Sequence, residues 1–463
     1  MFAKSVLLFL ILFLTSASYQ QTRTLEKFQE VFAWKQLTYN IYGNVLLEDR
    51  YGEVEAAREK RRADTIVFND DEDAATDWSK LFIAGPDSNN NGTSTVTTVN
   101  PNDEAGKFFV QYNNVPMGVE RVGDRLFVTV PRRRYGIPST LNFIDLKETR
   151  DRSPALRPYP NLSEARSLTS VYRTRADECG RLWMVDTGLL EIPDNPSQLQ
   201  PAAIVIYDLE TNTQIMTYPF KSSDIPAANT PTGLASITID INGDCEDAYA
   251  YVPDLTTFGV IVYSLKENDS WRHSHAYFSF NPVASTLDIA GERFQWDDGV
   301  FSITLSERGA DGCRTALFHP LIGTEEFSVS TCVLKNRAVR QSRNYFSLYS
   351  LVGRRGDASQ STMHGYHQGT GTVFFADVGR DAVSCWNTGT LLNPSNIAIL
   401  ARDRQRMSYP SDLHVTGDEV WVMANTLPRF GYSRLNTNEY NFYIYRGNVY
   451  ELIKNTVCEP PQL

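Results

Sequence analysis

Six stretches of this chain share one arrangement of apolar and polar positions: a turn carrying Gly or Cys, then a strand-like apolar run that ends on a small or polar residue. They occupy residues 123–130, 180–186, 245–254, 313–319, 371–377 and 417–425. Each follows a shorter alternating run, beginning at Gly118, Ser170, Ser236, Gly299, Thr362 and Ser411, and outer strands such as 203–208 and 260–265 come after. Alternation with a period of two between turn signals predicts strands, and four of them per unit predict an antiparallel meander. A strand-only unit recurring every roughly 45–70 residues predicts a radial array of small sheets rather than separate domains. The expected fold is therefore all-β, a six-bladed β-propeller of four-stranded antiparallel blades. Residues 31–39 read as a strand that completes the last blade and so hides the open edges of the ring.

The segments outside this repeat have a different texture. Residues 1–18 combine a charged start, an apolar run and the small residues Ser16, Ala17 and Ser18, which predicts a secretory signal peptide. The remainder, 19–463, reads as one propeller domain without a composition break, interrupted by a polar, Asn/Gly-rich insertion at about 85–104. Residues 51–62 read as helical or irregular. No later stretch reaches about 18 consecutive apolar residues, so no membrane contact is expected. The protein is expected to be secreted and extracellular.

Export gives the six cysteines a meaning, three disulfides with 15 formal connectivities. Cys313 and Cys332 are symmetric about Ile322-Gly323, so a hairpin turning there sets them opposite each other. Cys179 and Cys245 both precede the second strand of neighbouring repeats, and pairing Cys385 with Cys458 would pin the chain's end to an earlier blade. The expected bridges are Cys179–Cys245, Cys313–Cys332 and Cys385–Cys458. No CxxC or CxxH spacing points to a metal. Sequons at Asn91, Asn161 and Asn268 are expected glycosylation sites. A net charge of −11 argues against nucleic acid as a partner, because phosphate binding needs clustered positive potential. Arg58-Glu-Lys-Arg-Arg62 reads as a solvated or processed loop, whereas Arg132-Arg-Arg134 follows a marker strand.

In a meander blade the innermost strand starts at the ring face where the second strand ends. That face collects Asp186, Asp254, His319, Asp377 and Asn425 from second-strand ends, with Arg132 from the first blade. First-strand starts add Met117, Ser170, Ser236, Asp297, Asp298, Thr362, Ser411 and Asp412. Such a mouth suits a small molecule or a cation. The bland alternative for each Asp is a turn cap bonded to nearby backbone amides. Trp183, Tyr249, Phe374 and Trp421 read as inter-blade core. His273 and His275 read as a surface pair on an outer strand, and His364 and His367 as flanking a turn. No HExxH, Gly-x-Ser-x-Gly, P-loop or GxGxxG context is present, which disfavours the common hydrolase, kinase and dehydrogenase chemistries.

Several stretches together resemble the insect yellow and major royal jelly protein family: Val31-Phe-Ala-Trp-Lys-Gln-Leu, Gln111-Tyr-Asn-Asn-Val-Pro-Met-Gly, Leu126-Phe-Val-Thr-Val-Pro-Arg-Arg-Arg with Gly136-Ile-Pro-Ser-Thr-Leu, Cys179-Gly-Arg-Leu-Trp-Met-Val-Asp-Thr-Gly, Ala248-Tyr-Ala-Tyr-Val-Pro-Asp and Tyr409-Pro-Ser-Asp-Leu. The likeness is greatest to yellow-f type members. It implies a secreted six-bladed propeller with roles in cuticle and melanin pathways, and dopachrome conversion in the yellow-f type. Relatives in biting-fly saliva bind biogenic amines in the central cavity without catalysis. The leading expectation is a dopachrome-converting isomerase, of tautomerase or decarboxylating type, with no cofactor and no metal, acting on a small aromatic catechol or indole. His319, Asp186 and Asp254 are the candidate acids and bases; Arg132, Asp298, Asp377, Ser411 and Asn425 are the candidate ligand contacts. The alternative is a non-catalytic binder of biogenic amines or catechols, or a pigment-associated extracellular factor. A calcium-supported lactonase-type hydrolase rests on fold analogy alone.

Overall fold

The computed structural model describes residues 24–51, 107–191, 196–228, 230 and 233–460. The expected signal peptide at 1–18, the Asn-rich insertion with Asn91, and residues 52–62 lie outside them. The described chain forms six small antiparallel sheets arranged as a six-bladed β-propeller, each numbered here as a blade. Blade 1 runs outward from Gly118–Val122 through Arg125–Thr129 and Leu141–Asp145 to Arg157–Pro158. The innermost strands of the next four blades are Val171–Ala176, Thr238–Ile241, Val300–Arg308 and Ser361–His367. Their second strands are Arg181–Asp186, Ala248–Asp254, Arg314–Pro320 and Thr372–Asp377, the predicted marker runs.

Blade 6 closes the ring by joining the two ends of the chain. Pro410–Thr416, Glu419–Ala424 and Phe442–Asn448 are followed in the same sheet by Phe28–Trp34 and then Thr24–Leu25. The N-terminal closing strand starts and ends earlier than the expected 31–39; Trp34 pairs with Phe442, and its indole donates to the Pro154 carbonyl at 2.8 Å. On its outer side the start of Phe28–Trp34 is covered by the two-residue strand Thr24–Leu25, which pairs with Phe28 and Gln29.

The repeated glycine has a mechanical reason. Gly123, Gly180, Gly371 and Gly417 each turn the innermost strand into the second with positive φ, from 56° to 74°. In blades 3 and 4, where Cys stands in the pattern, Gly243 and Gly312 supply the positive φ just upstream. Between blades, apolar faces interlock: Trp183, Phe374 and Trp421 are buried as expected, while Tyr249 is only partly covered and carries Lys335 over its ring at 4.8 Å. Each fully buried large side chain contributes roughly 1.5–3 kcal/mol.

The three disulfides pair as expected, with Cα–Cα distances of 5.9, 5.6 and 6.1 Å. Cys385–Cys458 ties the chain's end to blade 5, and Cys179–Cys245 joins blades 2 and 3. Among the described residues no helix is long and apolar enough to cross a membrane. Asn161 and Asn268 are exposed; Asn161 caps the helix Leu162–Ala165 by accepting from the Glu164 amide at 3.0 Å.

Candidate functional site at the mouth of the ring

Where innermost strands begin and second strands end, a cavity of about 480 Å³ opens. Arg173, on the innermost strand of blade 2, lies beneath it and is 3 % exposed. Its Nε donates to the Ser411 carbonyl at 3.1 Å and its Nη1 to the Ala235 carbonyl at 2.8 Å, while the Asp412 carboxylate stands 3.7 Å away. Burial lowers the pKa of this guanidinium, and Asp412 opposes that shift. The walls are aromatic: Tyr172, Trp296, Phe301, Tyr409, Phe430 and Tyr432. Trp296 donates from Nε1 to the Tyr432 hydroxyl at 2.6 Å and meets Tyr409 edge to face, with centroids 5.9 Å apart. Rings braced against one another form a surface for a planar ligand.

Charge of both signs reaches this cavity. Arg133 and Arg134 enter from the loop after the second strand of blade 1, Arg134 lying over the Phe430 ring at 4.1 Å. Asp297 and Asp298 enter from the segment before Val300–Arg308. The Asp298 backbone is fixed, since its carbonyl accepts from the Ile322 amide at 3.1 Å and the next amide, Gly299, donates to the Leu255 carbonyl at 2.7 Å. Among the described residues no hydrogen bond reaches its carboxyl. Burial pushes this group up to about 7, helped by the like charge of Asp297 and opposed by Arg133. A half-buried carboxyl that changes charge near neutrality suits proton transfer.

Asp298 is the one residue of the expected acid, base and ligand set that lines this cavity. The others do not line it, and each is held by partners elsewhere in the fold, although one Asp377 oxygen is buried without a hydrogen bond. Asp186 accepts from the amides of Thr169, Ser170 and Gly188 at 2.7, 2.8 and 3.0 Å and from Gln200 at 2.7 Å. Asp254 accepts from the amides of Thr256 and Thr257, both at 3.2 Å, from the Thr257 hydroxyl, and from Arg272 at 3.0 Å. Asp377, raised to about 6 by burial against the pull of Arg380 and Arg355, accepts from Ser384 at 2.6 Å. Arg132 is buried and gives its guanidinium to the carbonyls of Ile137, Pro138, Leu168 and Thr169. Ser411 donates to the Met117 carbonyl at 2.8 Å and Asn425 to the Pro116 carbonyl at 2.7 Å, so this pair clamps blade 6 onto blade 1.

His319 is likewise inside the fold, in a fully buried network between blades 4 and 5. Its Nδ1 is 2.9 Å from Glu326, its Nε2 is 3.1 Å from the Ser361 carbonyl, and His364 Nε2 is 3.1 Å from the other Glu326 oxygen. Donor atoms of these three side chains lie within 4.8 Å of one another. Arg355 already pairs with Glu326, so a divalent ion here would add two positive charges beside a buried guanidinium. Burial holds His319 down at about 4, and for Glu326 the two imidazoles outweigh burial and keep the carboxyl below its usual range. The donor set fits an inter-blade clasp better than a metal centre. The other histidine expectations also change: His364 and His367 sit on the innermost strand of blade 5, not around a turn, and His273 and His275 are buried against the 3₁₀ segment Tyr345–Leu348.

Sequence reasoning missed Arg133, Arg134, Tyr172, Arg173, Trp296, Tyr409 and Tyr432. For most of them the signal was proximity. Arg133 and Arg134 belong to the quoted Arg run, Trp296 directly precedes Asp297, assigned to a first-strand start, and Tyr409 opens the quoted stretch Tyr409-Pro-Ser-Asp-Leu.

Fold and site together define a six-bladed propeller with a mixed-charge, aromatic-walled small-molecule cavity at one mouth. The Major royal jelly protein family model matches residues 169–458. The chain is 44 % identical over 360 residues to L-dopachrome tautomerase yellow-f of Drosophila melanogaster, covering 76 % of this chain and 83 % of that one. It is 36 % identical over 391 residues to Protein yellow of the same species, covering 82 % and 70 %. The chain belongs to the yellow and major royal jelly protein family.

Proposed function

We propose that this chain is a secreted protein of the melanin and cuticle pigmentation pathway that converts dopachrome to a dihydroxyindole in the cavity at the mouth of the ring. The observation that carries this reading is Asp298: a carboxyl with a pKa of about 7, inside an aromatic-walled cavity that also holds Arg133. The 44 % identity to a dopachrome tautomerase supports the choice of substrate. The three disulfides support an oxidising destination.

Dopachrome is a planar quinone-like bicycle with one carboxylate. Conversion to a dihydroxyindole is an internal rearrangement: protons leave carbons of the five-membered ring, and the two quinone oxygens gain protons. In the decarboxylating version carbon dioxide leaves in place of one ring proton, and solvent supplies the balance. No electron leaves the molecule. Asp298 in its ionised form takes the ring proton. Arg133 pairs with the carboxylate, and the ring of Trp296 covers the bicycle.

Purified protein added to fresh dopachrome, with visible absorbance followed and products separated, tests the reading. Bleaching faster than the buffer blank, with a dihydroxyindole as product, is the expected result; a rate equal to the blank contradicts it. One observation favours the second reading, a binder of protonated amines: the adjacent carboxylates Asp297 and Asp298 among aromatic rings. Calorimetry with dopamine, serotonin and octopamine separates the two, since tight binding without dopachrome turnover selects the binder.

A further inference from the structure

Tyr409 directly precedes Pro410, the first residue of the innermost strand of blade 6, yet its backbone is left-handed, at φ 52°. A residue ahead of proline is driven toward extended conformations, and a bulky side chain at positive φ is strained. Strain of this kind persists only where the surroundings hold it, and it collects at functional sites. The holding contacts are visible. The Asn425 amide donates to the Tyr409 carbonyl at 3.1 Å, the Thr362 hydroxyl reaches the Pro410 carbonyl, and Asn425 is itself anchored to Pro116. The outcome is a ring only 3 % exposed that still lines the cavity, edge-on to Trp296. Its phenol lies within electrostatic reach of Arg173, Asp298, Arg133 and Tyr172. Burial raises its pKa well above that of a free phenol, so it keeps its proton across the working range.

We infer that Tyr409 is a catalytic residue of the dopachrome conversion proposed above, on which this inference rests: its phenol gives a hydrogen bond, and then its proton, to a quinone oxygen while Asp298 removes a proton from a ring carbon. The C–H bond breaks and its electron pair moves into the ring. One quinone oxygen forms an O–H bond with the phenol's proton. The phenolate then recovers the proton held by Asp298, directly or through water, which resets both groups. A second round at the remaining ring proton and oxygen completes the isomerisation, with no oxidant or reductant. Arg173 lies within electrostatic reach of the phenol, where negative charge develops as its proton leaves.

The test is Tyr409→Phe in the full chain, assayed with dopachrome beside wild type. The expected result is a fall in kcat of about 100-fold, the scale of removing one preorganised donor. KM should stay within about threefold, with unchanged melting temperature and an unchanged pH midpoint for Asp298. Wild-type acceleration with an undiminished kcat in the variant overturns the role of Tyr409 and leaves the proposed function standing. A lost kcat accompanied by a lower melting temperature or a moved midpoint also overturns it, because the residue would then only hold the site together. Absence of acceleration by wild type overturns both readings at once.

Discussion

Asp186 and Asp298 stand at the same face of the ring, one ending a second strand and the other preceding an innermost strand, and they show what separates a carboxylate with filled acceptors from one left open to a cavity. Asp186 is 2 % exposed and receives three backbone amides and one side-chain amide. Burial raises its pKa while those amides pull the other way. Asp298 is more open, lines the cavity, and among the described residues accepts no hydrogen bond at its carboxyl. Its neighbour Asp297 adds like charge where Asp186 has amides. A carboxylate whose acceptors are filled holds loops in place; one left with burial and a like charge is poised to move protons. Asp254 sides with Asp186.

The sharpest way to break this contrast is to exchange the two carboxylates' fates by mutation. Asp298→Asn should lower kcat/KM for dopachrome by about 10²–10⁴-fold. Its thermal unfolding should match or exceed wild type above neutral pH. The sign follows from linkage: the folded pKa, about 7, lies above the ordinary value, so ionising Asp298 costs stability progressively between about pH 4 and 7 and fully above that. The amide escapes that cost. Asp186→Ala should do the reverse, destabilising by about 2–4 kcal/mol by denaturant unfolding because several buried donors lose their acceptor, while turnover per folded molecule persists. Equal losses of activity in both variants would erase the distinction.

Smaller effects sharpen the picture. Arg133→Gln should raise KM for dopachrome about tenfold with a lesser change in kcat, as expected of a group that pairs with the substrate's carboxylate. It should also move the midpoint of the pH–rate profile upward, because Arg133 opposes the rise of Asp298. Asp297→Asn removes the like charge and should move that midpoint downward, with little change in maximal rate.

The propeller was legible because its determinants are local and repeated: alternating strands, a left-handed glycine ahead of each second strand, and cysteines placed at equivalent points of neighbouring blades. The face that carries the cavity followed from the meander itself. What could not be read was the direction of individual side chains. Arg132 and Arg133 are adjacent, yet one threads four carbonyls under the loop and the other enters the cavity. His319 ends a second strand as expected, but its ring turns between blades because Glu326 and the Ser361 carbonyl receive it there. Such choices depend in part on contacts from the next blade, 36 and 37 residues away for Arg132 and 42 for His319, which no local pattern reports. Tyr409 escaped for a related reason: its left-handed backbone is set by Asn425 from the neighbouring strand.

The claim that Asp298 is the proton-accepting group at this mouth is tested most directly by kcat/KM for dopachrome across about pH 5–9, corrected for the spontaneous reaction, in wild type and Asp298→Asn. The account predicts a wild-type rate that rises through a single midpoint near 7 and a variant rate that is low and flat. A rise that survives in the variant, or a wild-type profile without a midpoint near neutrality, would contradict it.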